Sequence, residues 1–356
     1  MNGWALFISL MSPYSILLNL RRTTIQVLII GGTRNLGLSL VEFLQKRGHA
    51  VTVFNRGVTS GGELPSDVER LYGDRSRKQD LENALGGRTF DAVIDTTLYT
   101  GPEAADAIEA FRRRTGHYIL ISTGQVYLVR KNVSRPFREE DYEGDLITPP
   151  SPQQESDYNN WLYGINKRQA EDHFFRAWHD ERFPITSLRA PMIHGERDHF
   201  GRILGYLRRM QDGGPIVIPE EPGLLMRHVY CPDVARAAVD LAETGRGKGQ
   251  AYNLSQDETI RVEDFLAMLA ELVPAKLQIV RVPRARLDEL KLLPNCSPFS
   301  GLWMSELDNR RSKEELGMVY TPLADYLKSI VDHYKNNPKL MPEGYATRHL
   351  ELQLTH

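Results

Sequence analysis

The stretch Ile25-Gln26-Val27-Leu28-Ile29-Ile30-Gly31-Gly32-Thr33-Arg34-Asn35-Leu36-Gly37 decides how the chain is read. The apolar run to Ile30 has the length and β-branching of a buried strand, and two glycines end it at once. Behind them Leu36, Leu40, Val41, Phe43 and Leu44 recur at three- and four-residue steps, an amphipathic helix that Arg47-Gly48 closes. Ala50-Val51-Thr52-Val53-Phe54 follows as a second strand, giving a βαβ unit of about thirty residues. A glycine turn lets backbone approach a pyrophosphate, and the helix start offers that anion unpaired N–H groups and a positive dipole end. The stretch therefore predicts a bound dinucleotide contacted by Gly31, Thr33, Arg34, Asn35, Leu36 and Gly37.

At 356 residues the chain has ample length for a core, in one large domain or two closely joined ones. Its formal net charge of -2 supplies no overall field to recruit nucleic acid or a membrane, which favours a small-molecule substrate. Cys231 and Cys296 lie far apart and make no metal or redox spacing, so no metal site and a reducing, cytoplasmic compartment are expected. Ahead of the first strand, Trp4 to Ile8 and Ile16 to Leu18 are apolar. Ser12-Pro13 interrupts them and Arg21-Arg22 follows, a pattern too short and broken for a membrane span and unlike a signal peptide. Residues 1–24 are read as an extension.

The second strand ends in Asn55-Arg56, where an acid would hold ribose hydroxyls and repel a 2′-phosphate. A neutral Asn55 followed by a cation that forks onto phosphate favours NADP over NAD. Val68 to Tyr72 reads as a third strand, and Asp74 just beyond it is placed to accept from an adenine amino group or, alternatively, to cap the next helix. A fourth strand, Phe90 to Asp95, brings Thr96 to the sheet edge where ligands sit in open parallel sheets. A helix from about Pro102 to Arg114 leads to a fifth strand ending near Thr123. Residues 130–157, rich in charge and proline, read as a long loop of the kind that often forms a lid. The alternation of strands and helices predicts an α/β fold, a Rossmann-like doubly wound parallel sheet.

Tyr158 to Trp178 reads as a helix, with Tyr163 and Lys167 four apart on one face. An ammonium beside a phenol lowers its pKa from about 10 and makes it a proton carrier near neutral pH. The same lysine is able to hold the ribose of a nicotinamide cofactor. Tyr127 and Lys131 share the spacing but run from a strand into the proline-rich loop, where the spacing does not bring side chains together. Beyond the sixth strand, Pro184 to Arg189, His194 is read as a packing residue rather than an acid or base.

Gly31 to Gly37, Thr123 and Tyr163-x-x-x-Lys167 together resemble an extended short-chain dehydrogenase/reductase of the NAD-dependent epimerase/dehydratase family. Leu188-Arg189-Ala190-Pro191 with Ile193-His194-Gly195, Arg227-His228-Val229 with Asp233-Val234-Ala235, Gln250 to Leu254 and Lys313 to Gly317 carry the resemblance to about Tyr334. It implies that Thr123 stands for the catalytic serine and polarises the substrate oxygen, that Tyr163 moves the proton, and that Lys167 binds ribose. Arg34 replaces a glycine, as in atypical members, and adds a cation for a 2′-phosphate. Arg227 falls one residue away from the diphosphate-binding arginine of sugar-nucleotide epimerases. The same Gly-Gly-Thr-Arg turn occurs in chloroplast stem-loop-binding proteins, which bind RNA.

These readings give residues 25–190 as the NAD(P)-binding Rossmann domain, 191–335 as a smaller, mainly substrate-binding part, and 336–356 as a tail without a motif. The expected activity is NAD(P)-dependent reduction or epimerisation at a hydroxyl or keto group of a small substrate, sugar-like compounds included. A homodimer is compatible with it. The alternatives are an RNA-binding protein, for which Arg112-Arg113-Arg114 and Arg208-Arg209 would form the basic face, and a non-catalytic NADP-sensing regulator.

Overall fold

The computed structural model describes residues 24–58, 64–221 and 223–354. The reading of residues 1–24 as an extension falls, Thr24 excepted, outside them. The first half runs β1 (Gln26–Ile30), α1 (Asn35–Lys46), β2 (Ala50–Asn55), β3 (Glu69–Tyr72), α2 (Lys78–Leu85), β4 (Ala92–Asp95), α3 (Gly101–Phe111), β5 (Tyr118–Thr123), α4 (Gln125–Leu128), α5 (Glu155–Glu181) and β6 (Ile185–Ala190). There follow β7 (Ile193–His194), α6 (Arg202–Gln211), β8 (Ile216–Pro219), β9 (Val229–Tyr230), α7 (Cys231–Thr244), β10 (Gln250–Asn253), α8 (Val262–Glu271) and β11 (Ile279–Val282). Helices α9 (Arg284–Glu289), α10 (Arg310–Leu316), α11 (Leu323–Asn336) and α12 (Arg348–Gln353) complete the described chain.

Among the described residues, seven strands form one parallel sheet in the order β10-β6-β5-β4-β1-β2-β3. The apolar run of β1 is buried because both faces are covered. Val27 and Ile29 pack into the layer of α1 and α7, while Leu28 and Ile30 pack into the layer of α3 and α5. Helix α1 ends where Gly48 takes a positive φ of 81°, and the next N–H, of His49, returns to the Leu44 carbonyl. The order reverses between β1 and β4, and that switch point leaves a crevice at the carboxyl edge of the sheet.

Beyond β6 the chain builds a second core from α6, α8, α11, β8 and Phe299, yet α7 packs on α1 and β10 pairs with β6. Helix α12, the last described element, is docked onto this second core. Arg209, fully buried, pairs with Glu351 at 2.5 Å, and Arg348 pairs with Asp212 at 2.7 Å.

Candidate active site

The turn after β1 needs its glycines. Gly31 and Gly32 have φ of 112° and 88°, and a Cβ on Gly31 would overlap Thr96 Oγ1. A Cβ on Gly37 would overlap the Gly32 backbone, so the helix start and the turn touch directly. Arg34, at the middle position, is extended (φ -142°, ψ 151°), a conformation open to any residue. Helix α1 has no side-chain cap and no acid in its first turn, which leaves its first N–H groups for an external anion.

All the residues expected from sequence line one cleft of about 680 Å³ at the switch point. Gly31, Thr33, Arg34, Asn35, Leu36 and Gly37 form its turn, Asn55 and Arg56 the end of β2, Asp74 the end of β3 and Thr96 the end of β4. Thr123 at the end of β5 and Tyr163 and Lys167 on α5 form the opposite wall. Asn55 shapes its own turn, its Oδ1 accepting from Gly57 N at 2.8 Å. Asp74 does not cap α2: its Oδ1 accepts from Ser76 Oγ and Ser76 N, and these bonds, with Arg56 nearby, hold its carboxyl below the usual range. Arg34 and Arg56 are exposed, and their guanidinium groups make no hydrogen bond or ion pair among the described residues. The Arg56 charge is among the influences that lower Asp74, and the Arg34 charge among those that lower His199.

On the opposite wall the Tyr163 phenol has Thr123 as a neighbour in the cleft lining. Burial pushes the phenol up to about 12, with Thr123 opposing the rise. The sequence reading that Lys167 lowers this pKa is therefore corrected. The Lys167 ammonium donates to the carbonyls of Leu98 (2.8 Å) and Ile121 (2.9 Å), so its charge is held between β4 and β5. Burial depresses its pKa to about 8 against the pull of Glu171 and Asp95.

Two buried ion pairs frame this lysine, and sequence reasoning missed both. Arg75 Nη2 meets Asp95 Oδ2 at 2.5 Å, where Tyr118 also donates at 2.6 Å. Glu171, one turn beyond Lys167, takes Arg189 at 2.5 Å and accepts from Ser122 and Ser187. Ser122 precedes Thr123, so the second pair fixes the end of β5 against α5. Removing one partner of such a pair costs about 3–5 kcal/mol. The only local signal was an aspartate closing the apolar strand β4.

Tyr127 lies outside the cleft. Its hydroxyl donates to Asn253 Oδ1 (2.8 Å) and accepts from Arg189 Nη1 (2.7 Å) in a closed, buried set. His194 is also buried, 2.8 Å from His228, and burial depresses both imidazoles. Residues 130–157 contribute nothing to the cleft wall, contrary to the expected lid. They are pinned elsewhere, with Phe137 N donating to Glu306 O at 2.7 Å and Tyr142 Oη to Asp172 at 2.8 Å. Among the described residues no group of three or more His, Cys, Asp or Glu is placed to hold a metal, and no helix is long and apolar enough to cross a membrane.

The chain is 26% identical over 265 residues to a chloroplast stem-loop binding protein of 41 kDa from Arabidopsis thaliana, covering 69% of this chain and 62% of that protein. It is 25% identical over 236 residues to the 2′-dehydrokanamycin reductase of Streptomyces kanamyceticus, covering 65% and 62%. It thus spans about three fifths of the length of these two relatives. Its fold resembles the UDP-glucose 4-epimerase of Thermus thermophilus in complex with NAD, with a TM-score of 0.67 and 20% identity over 87% of this chain and 99% of that one. The NAD dependent epimerase/dehydratase family model matches residues 27–255, the span from β1 through β10 that builds the sheet and the cleft. By that match, over well more than half its length, the chain belongs to the NAD dependent epimerase/dehydratase family.

Proposed function

We propose that the chain is an NADP-dependent reductase, or an epimerase, acting on a keto or hydroxyl group of a small molecule, with Tyr163 as the acid/base. The observation that carries this reading is that Thr123, Tyr163 and Lys167 line one wall of a dinucleotide-sized cleft whose other wall is the glycine turn. The uncapped start of α1 would hold the pyrophosphate, Arg34 and Arg56 the 2′-phosphate, Asp74 the adenine amino group and Lys167 the ribose. A bound nicotinamide supplies a hydride donor or acceptor. Asn55 in place of an acid, together with two unpaired arginines, favours NADP over the NAD of the family's name.

With its pKa at about 12, Tyr163 is a phenol at neutral pH and is poised to give its proton to a substrate oxygen, the direction of carbonyl reduction. Thr123, on the same wall of the cleft, would orient the same oxygen. Lys167 below about pH 8 is an ammonium held by two backbone carbonyls, those of Leu98 and Ile121. Gly124-Gln125 supplies no second acid, which disfavours dehydration. Residues 25–190 are assigned mainly to cofactor and 191–335 mainly to substrate, and two buried free cysteines suit the cytoplasm.

RNA binding is the weaker reading because four of its five arginines are engaged, Arg114 on the Gly86 carbonyl among them. Arg209 is buried on Glu351, Arg208 holds the carbonyls of Pro338 and Leu340, and Arg112 pairs with Glu181. The test is NADPH oxidation with a panel of small ketones and keto sugars, run beside Tyr163→Phe. Turnover lost in the variant supports the proposal; a chain that shifts structured RNA at physiological salt and turns over nothing sinks it.

A further inference from the structure

Resting on the reading that the cleft holds a dinucleotide, we infer that Arg202 is an anion-binding residue that takes a phosphate oxyanion of the bound ligand from the side opposite α1. Arg202 is the first residue of α6 and lines the cleft. Its side chain is only 22% exposed, yet among the described residues its sole ion pair is to Asp198, at 3.3 Å. That is long for a charge-assisted bond.

Asp198 is largely spent on the loop itself, accepting from Phe200 N at 3.2 Å and Arg202 N at 3.3 Å. A guanidinium presents five donors in a fixed fork, and this one places two or fewer of them on protein acceptors. The Phe200 ring, itself 58% exposed, has the guanidinium 4.4 Å from its centroid and packs at a tilt of 38° against His199.

The segment sits over the phosphate turn. Arg197 of the same loop pairs with Glu42 of α1 at 2.5 Å, Gly195 abuts Asn35, and the Arg34 charge acts on His199. A half-buried cation, weakly paired and facing an uncapped helix start across a cleft, is completed by an anion between the two. Burial also lowers its pKa, as expected for a cation short of counter-charge. Sequence patterning gave no hint, since an arginine opening a helix reads as solvated.

The phosphate could belong to the cofactor or to the substrate, and calorimetry with the full chain separates them. Wild type, Arg202→Gln and Arg202→Lys are titrated with NADPH, ADP-ribose and inorganic pyrophosphate, with melting temperatures recorded. The assignment expects Arg202→Gln to weaken ADP-ribose and NADPH by about tenfold and Arg202→Lys to restore much of the loss. A loss confined to KM for phosphate-bearing substrates also supports it and places the anion on the substrate. Arg202→Gln matching wild type in all of these overturns the assignment while leaving the cofactor reading intact. A wild-type chain that binds none of the three probes overturns both.

Discussion

Tyr163 and Tyr127 each stand four residues before a lysine, and the molecule treats them in opposite ways. Tyr127 is saturated: Asn253 accepts from its hydroxyl, Arg189 donates to it, and the stacked Phe137 ring lies 5.4 Å away. Tyr163 opens on the cleft beside Thr123, and Tyr99 leans over it at 6.3 Å. Both phenols are pushed up by burial. What separates them is unspent hydrogen-bonding capacity in a place a substrate reaches, a property that residue spacing does not encode.

The comparison breaks most visibly in the rate. Tyr163→Phe is expected to lower kcat by about a thousandfold while leaving the NADPH Kd within twofold, measured by steady-state kinetics and titration. Lys167→Met should cost about a hundredfold. In the wild type kcat/KM should fall as pH rises through about 8, because the ammonium is the form lost on that side, and Lys167→Met should lack this limb.

Smaller effects sharpen the contrast. Arg56→Ala, which touches neither tyrosine, should weaken NADPH about tenfold and NADH less than twofold; equal losses would remove the 2′-phosphate role. Tyr127→Phe should leave kcat within about twofold. It should lower unfolding free energy by about 1–3 kcal/mol in urea, since it strands an Arg189 donor and the Asn253 acceptor. A dead Tyr127→Phe with an active Tyr163→Phe would invert the assignment of the pair.

The first βαβ unit was legible because every signal in it is local: an apolar run, a glycine turn and a helical stripe within a few dozen residues. The cleft residues followed from strand ends, which the alternation of elements marks. What lay hidden depends on partners distant in sequence. Arg75 reaches Asp95, Glu171 reaches Arg189, and Arg209 reaches Glu351 across 142 residues, so the tail that carries no motif is nevertheless locked down. β10 joins the sheet through β6 rather than through a neighbour in sequence. The Tyr163 pKa was misjudged for a related reason. Helical spacing brings Lys167 to the same face, but the carbonyls of Leu98 and Ile121, on other elements, decide where its ammonium points.

The most direct measurement is a titration of the purified chain with NADPH and NADH, followed by cofactor fluorescence. Saturable binding, at least tenfold tighter for NADPH, is the predicted result, by the two unpaired arginines at the cleft. Failure to bind either nucleotide would contradict the account at its root, because the glycine turn and the uncapped start of α1 would then be holding no dinucleotide.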